Sequence, residues 1–251
     1  MLKLLKRRTL RRAKRSCLPD GQRVYAIGDV HGCKSQMVHL LEAIERHSAG
    51  YAGSTHLVFV GDLVDRGPDS SGVLEHLSTV QLPADEVTFI MGNHDEIMLN
   101  CYDGYVEHYS MWLQFGGRET LESYGVSAQD INSSDFDLSA LMKRSVPPKH
   151  IAFMRSFQDT IRLGDFLFVH AGIRPGMPLE QQTRADLRWI RGEFLRDKSD
   201  HGYTVVHGHT IVPQIVRRRN RIGIDTGCYR TGVMAALIVE GSECSALLAN
   251  R

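Results

Sequence analysis

Three short clusters of donor residues stand out along the chain: Gly28-Asp29-Val30-His31-Gly32, Gly61-Asp62-Leu63-Val64-Asp65-Arg66-Gly67 and Gly92-Asn93-His94-Asp95. Each closes an apolar run with carboxylate, amide or imidazole groups. Donors of this kind suit Mn, Fe or Zn rather than thiophilic ions, and metals held by them do hydrolytic chemistry. The apolar runs ahead of the clusters, residues 24–27, 57–60 and 87–90, read as buried strands. The carboxyl ends of neighbouring parallel strands open on one crevice. Three clusters distant in sequence are therefore predicted to form one metal site.

The elements that must position them follow from periodicity. Met37, Leu40, Leu41 and Ile44 repeat at helical spacing after Ser35, and the helix ends near His47-Ser48. A second helix is expected from about Ser70 through Leu77, and a third carries Ile97, Met98 and Leu99. This is a β-α-β-α-β start, for which a right-handed parallel arrangement is expected. Over residues 103–158 the apolar positions scatter, with Trp112, Phe115, Gly116-Gly117, Leu121 and Tyr124 suggesting short helices and Pro147-Pro148 a break. We expect a helical insertion or cap over the site here, within a single domain spanning 21–251. Short strands return at 160–163, 166–169, 203–206, 214–217, 221–225, 233–239 and 245–248, several of them hairpin-linked. The predicted fold class is α/β, with two packed mixed β-sheets flanked by helices.

A chain of 251 residues, 42% hydrophobic and 24% charged, can bury a large core, and no apolar run is long enough to span a bilayer. Eight Lys or Arg and no acid lie in residues 1–16, so the rest carries −7 against a total of +1. Residues 1–20 read as a basic, solvated arm that could contact anionic surfaces; an organellar transit segment or an amphipathic surface-binding segment are the alternatives. Without an apolar signal core, export is not expected. Five widely spaced cysteines with no Cys-x-x-Cys exclude a disulfide framework or thiolate zinc site and point to a reducing, cytoplasmic setting. Cys33, directly after the first cluster, reads as an inert thiol.

The second half adds Phe168-Val169-His170-Ala171-Gly172, Trp189-Ile190-Arg191 and Val206-His207-Gly208-His209, each at a strand end or turn. In this order the motifs resemble the phosphoprotein phosphatase (Ser/Thr protein phosphatase) branch of the calcineurin-like metallophosphoesterases, over about residues 22–240. The bacterial and phage-type members are the most similar, through Trp112…Gly116-Gly117 and Ile224-Asp225-Thr226-Gly227. The resemblance implies two divalent metal ions, with Mn expected and Fe or Zn as alternatives. Asp29 and His31 would bind one ion, Asp62 would bridge both, and Asn93, His170 and His209 would complete the second. A bridging hydroxide would then attack phosphorus directly. By the same resemblance His94 is the general acid, Asp65 fixes its tautomer, and Arg66 and Arg191 grip phosphate oxygens.

His207 departs from the family's usual apolar residue and reads as structural, Tyr229 as a lining residue beside Asp225, and His108, His150 and His201 as surface residues. The run Arg217-Arg218-Arg219 with Arg221 reads as a solvated hairpin, or as a device that steers anionic phosphates to the cleft. The expected substrate is a phosphoprotein or small phosphate ester. The rival enzyme reading is a symmetrical dinucleoside tetraphosphate hydrolase, which the resemblance disfavours because such enzymes generally lack the acid standing here as Asp65. A rival of another class is a non-catalytic nucleic-acid or membrane-surface binder acting through the basic arm.

Overall fold

In the computed structural model, which describes residues 16–132 and 137–250, the first strand already sets the layering. Successive side chains of a strand face opposite ways. In β1 (Gln22–Ile27), Val24 and Ala26 enter an apolar cluster between two sheets, while Tyr25 and Ile27 face the helices. Next come α1 (Lys34–Ser48), β2 (Ser54–Phe59), α2 (Ser70–Thr79), β3 (Glu86–Phe89) and α3 (Asn93–Asp103). β1 pairs with β2 and β2 with β3, all parallel, with Ile27 opposite Phe59 and Phe59 opposite Phe89. The predicted β-α-β-α-β start is therefore present, and it brings three strand ends side by side. α1 buries Met37, Leu40, Leu41 and Ile44, the stripe that its spacing predicts.

Residues 103–158 form short helices: α4 (Tyr109–Trp112), α5 (Arg118–Ser123), α6 (Ala128–Ile131), α7 (Leu138–Ser145) and α8 (Pro148–Arg155). They pack on the helical face of the first sheet, with Trp112, Leu121, Leu138, Met142 and Met154 in one cluster with Ile97 and Met98 of α3. Pro148 opens α8 as its first residue, where a missing N–H costs nothing.

The second sheet holds β4 (Thr160–Leu163), β5 (Phe166–Val169), β6 (Thr204–His207), β7 (Val216–Arg217) and β8 (Arg221–Gly223), in the order β4-β5-β6-β8-β7. Hairpins join only β4 to β5 and β7 to β8. The β5-β6-β8 core is parallel, and the β5–β6 crossover carries α9 (Arg184–Trp189) and α10 (Gly192–Arg196). After α11 (Cys228–Thr231), β9 (Met234–Glu240) and β10 (Glu243–Ala249) return to the first sheet, where β9 lies antiparallel to β1. Phe166, Phe168, Val206 and Ile222 meet Val24, Ala26, Val58 and Val239 between the sheets, while Leu167, Val169 and Val205 pack outward on Leu187 and Phe194. Two mixed sheets with helices on both outer faces make the α/β architecture. No helix among the described residues is long and apolar enough to cross a membrane. The arm's residues 1–15 lie outside the described residues.

Candidate metal centre

The strand ends deliver their side chains through an unusual backbone. Among the described residues, five non-glycine residues have positive φ: His31, Asp62, Asp65, Arg66 and His209. All five belong to the clusters singled out above. Such conformations cost on the order of 1–3 kcal/mol each and persist only where surrounding structure over-determines them. Gly61, at φ 108°, lets the chain turn where a Cβ would stand 2.7 Å from His170 Nδ1 and 2.8 Å from the Gly92 backbone. The glycines beside the ligands are thus a packing requirement.

Asp62 lies at the centre, with His31 Nε2 3.5 Å and His170 Nε2 3.4 Å from its Oδ2. Donor atoms of His31, Asp62 and His94 lie within 4.8 Å of one another, and so do those of Asp62, His170 and His209. Asp62 therefore belongs to two triads. Asn93 Oδ1 is 2.9 Å from His170 Nε2. Asp29 stands outside both triads; its carboxylate accepts the His209 backbone N–H at 3.0 Å and lies close enough to Asp62 for their charges to interact.

The protonation pattern suits cations. His31 Nδ1 donates to the Val64 carbonyl and His170 Nδ1 to the Val60 carbonyl, each at 2.8 Å, which leaves both Nε2 atoms as acceptors, that of His31 taking a 3.2 Å bond from Arg66. Burial lowers both imidazole pKa values, that of His31 to about 3, so the rings stay neutral. His170 Nε2 and Asn93 Oδ1 are thus two acceptors facing one another, an arrangement that a shared cation resolves. Burial also lowers His209, to about 2, and its buried Nε2 has no hydrogen-bond partner. Asp62 feels the opposing pull of burial, but the charge of nearby His94, whose backbone N–H it also accepts at 2.9 Å, holds its carboxyl well below the usual range. Asp29 is pushed well up by burial and by neighbouring Asp225. Neutral imidazoles, crowded carboxylates and an orphaned ring nitrogen are a donor set that fits divalent metal ions.

Beside the triads, His94 Nδ1 donates to Asp65 Oδ2 at 2.7 Å. Burial lowers the His94 pKa, yet Asp62 and Asp65 outweigh it and the net shift is upward. Asp65 is fully buried and held from behind by Trp112 Nε1 at 3.1 Å and Thr120 Oγ1 at 2.7 Å. Trp112 and Thr120 were not marked in the sequence as partners of Asp65; only the Trp112…Gly116-Gly117 segment hinted at them. Arg66 donates to His94 Nε2 at 2.8 Å and to Tyr229 Oη at 3.2 Å, which puts Tyr229 on the site wall. Arg191 is exposed, but its charge reaches His170, His209 and Asp225.

Two further carboxylates belong to this neighbourhood. Asp225 is buried, and burial pushes its pKa up to about 6. Asp95 accepts the Leu63 and Gly92 backbone N–H groups, clamping two clusters together, and burial raises it to about 7. His207 is buried against the edge of Phe194 and is structural in its contacts. His150 overturns its surface reading: it is buried between the Tyr124 hydroxyl at 2.8 Å and Glu75 at 3.0 Å. The His201 side chain is likewise only 5% exposed. The 217–221 arginines lie at the opposite, amino ends of β6 and β8, so the steering reading loses its geometry.

Comparisons agree with this geometry. The chain is 28% identical over 214 residues to a symmetrical bis(5'-nucleosyl)-tetraphosphatase of Nitrosospira multiformis, covering 81% of this chain and 66% of that protein. It is 28% identical over 226 residues to the asymmetrical bis(5'-nucleosyl)-tetraphosphatase PrpE of Oceanobacillus iheyensis, covering 80% of this chain and 82% of that one. Its fold is similar to that of a cold-active protein-tyrosine phosphatase of a Shewanella species, with a TM-score of 0.56, 17% identity, and 94% of this chain and 84% of that one covered. The two sequence relatives carry tetraphosphatase names, the class of the rival reading, and neither is named a Ser/Thr protein phosphatase. The calcineurin-like phosphoesterase model matches residues 22–231, a span that holds every candidate ligand and acid–base residue described above. The chain therefore belongs to the calcineurin-like phosphoesterases and is a hydrolase.

Proposed function

We propose that this chain hydrolyses the phosphoanhydride bonds of dinucleoside polyphosphates at a paired divalent-metal centre. The sharing of Asp62 between two buried triads carries the chemistry. The substrate class is supported by relatives named bis(5'-nucleosyl)-tetraphosphatases, which match about four-fifths of the chain. Asp29 and His31 would hold one ion, Asn93, His170 and His209 the other, and Asp62 both. When bound, such a pair ionises water near neutral pH and polarises phosphoryl oxygens.

The chain's own groups do the remainder. Arg66 is anchored through Tyr229 and presents a planar guanidinium suited to two phosphate oxygens, with the more exposed Arg191 adding charge from the second sheet. With Nδ1–H held by Asp65, His94 takes a second proton on Nε2 once the Arg66 guanidinium turns from that nitrogen to the phosphate, and gives this proton to the departing oxygen. This pair also favours a second reading, hydrolysis of phosphoserine or phosphothreonine esters. An alkoxide leaves far less readily than a nucleotide phosphate, so a braced acid matters most there.

The test is kcat/KM with Mn on diadenosine tetraphosphate and on a phosphoserine peptide, measured side by side. The proposal expects faster turnover of the dinucleotide; faster turnover of the peptide would install the second reading in its place.

A further inference from the structure

The amino ends of β6 and β8 lie at the far end of the sandwich from the metal centre and carry a group of cations that the hydrolytic site does not use. A cavity of about 470 Å³ there is lined by Leu195, Lys198, Arg218, Arg219, Asn220 and Arg221, and no acidic residue borders it. Lys198, Arg218 and Arg219 are exposed and have no ion-pair partner among the described residues. Arg221 differs: it donates to the backbone carbonyls of Asp197 and Leu195 and so fixes the wall. Nearby acids are fewer than the cations: Asp165 and Asp200 line the neighbouring cavity with Arg219, and Asp197 accepts from Ser199. The excess of positive charge left at this face is relieved when an anion completes it.

The basic arm is rooted at this same end. Ser16 Oγ is 2.7 Å from Thr204 Oγ1, and Thr204 is the first residue of β6. Ser16 lines a neighbouring cavity together with Arg219 and Asn220. Ser16, which directly follows the eight Lys or Arg in the sequence, therefore stands beside the Arg218–Arg219 turn. Asp225 and His209, by contrast, follow the carboxyl ends of β8 and β6. At ~3.3 Å per residue, roughly 13 Å of chain separates Arg221 from Asp225.

We propose that this end of the molecule docks on an anionic lipid bilayer, with the hydrolytic crevice facing away into solvent. The arm interleaves Leu2, Leu4, Leu5 and Leu10 with its cations, a composition that sinks apolar side chains below a headgroup layer. A single-stranded nucleic acid would call instead for several stacking platforms, and the one aromatic residue lining either cavity, Tyr203, is half-buried with Arg162 over its ring. The bilayer is therefore the partner that both the charge and the leucines fit. The proposal is independent of which phosphate compound the enzyme hydrolyses.

The full chain is sedimented with vesicles of phosphatidylcholine alone and of phosphatidylcholine with phosphatidylglycerol, at low and high salt. It should bind only the anionic vesicles and release as salt rises. Arg218→Ala with Arg219→Ala should weaken partitioning roughly 30-fold, since each cation near the surface contributes about 1 kcal/mol. Both side chains are exposed on a turn, and unchanged hydrolysis of a soluble aryl phosphate will verify that the fold is intact. Equal binding to neutral and anionic vesicles, or none to either, would overturn the proposal. So would displacement of the vesicles by single-stranded RNA that binds more tightly through the same arginines.

Discussion

Both sheets open on the crevice, yet they supply unequal parts. His31, Asp62, Asp65 and Arg66 follow strands of the first sheet, all with positive φ, and with Asn93 and His94 they bring the proposed ligands, acid and phosphate grip within a few residues of each strand end. The second sheet offers His170 and His209, of which only His209 is strained. The difference lies in what each side must hold. On the first side the proposed proton donor has to stand beside the proposed bridging carboxylate without binding in its place, and His94 is tied back to Asp65, and Asp65 to Trp112 and Thr120. On the second side a neutral ring nitrogen aimed inward suffices. Strain is concentrated where two chemistries have to coexist within one hydrogen bond of each other.

The contrast breaks most completely at Asp62, the residue both sides share. Asp62→Asn should bring turnover to background on every phosphate substrate, as read by steady-state kinetics. His94→Asn should sharpen it: bound metal is retained, while kcat falls by roughly 10²–10⁴-fold for poor leaving groups and less for activated aryl phosphates. Equal losses on both substrate types would remove His94 from the acid role. Asp65→Asn acts only through His94, so a smaller cost of roughly 10–100-fold is expected, with the same dependence on leaving group.

The smallest effect is one of stability. Burial lifts the folded Asp225 from its ordinary 3.8 to about 6, so its carboxyl binds a proton more tightly folded than unfolded. The stability it contributes is fully present below about pH 4 and is lost as pH rises through about 6. In chelator-stripped protein, the wild type should lose about 1–3 kcal/mol relative to Asp225→Asn across that window, measured by denaturant unfolding at stepped pH. A constant difference between the two proteins would show that Asp225 does not titrate in the fold.

Much of this was legible in the sequence because strand, glycine break and donor residue are adjacent in the chain. The α1 stripe and the parallel order of β1 to β3 followed from periodicity, and the ligand clusters from their place at strand ends. What stayed hidden depends on contacts between distant segments. Trp112 and Thr120 reach Asp65 from helices whose scattered apolar residues gave no periodic signal. Asp95 shows its role only in three dimensions, where it accepts the Leu63 N–H from 32 residues away. His150 looked exposed because its partners, Tyr124 and Glu75, lie 26 and 75 residues away. The parallel pairing of β5 with β6 likewise needed a crossover that short strand signals do not announce.

The central claim is a paired-metal centre bridged by one carboxylate, and metal analysis of the purified protein tests it most directly. Two divalent ions per chain are expected in the wild type, and fewer than one in Asp62→Asn. A wild type that binds no divalent metal, or an Asp62→Asn protein that keeps the full complement, would contradict the account.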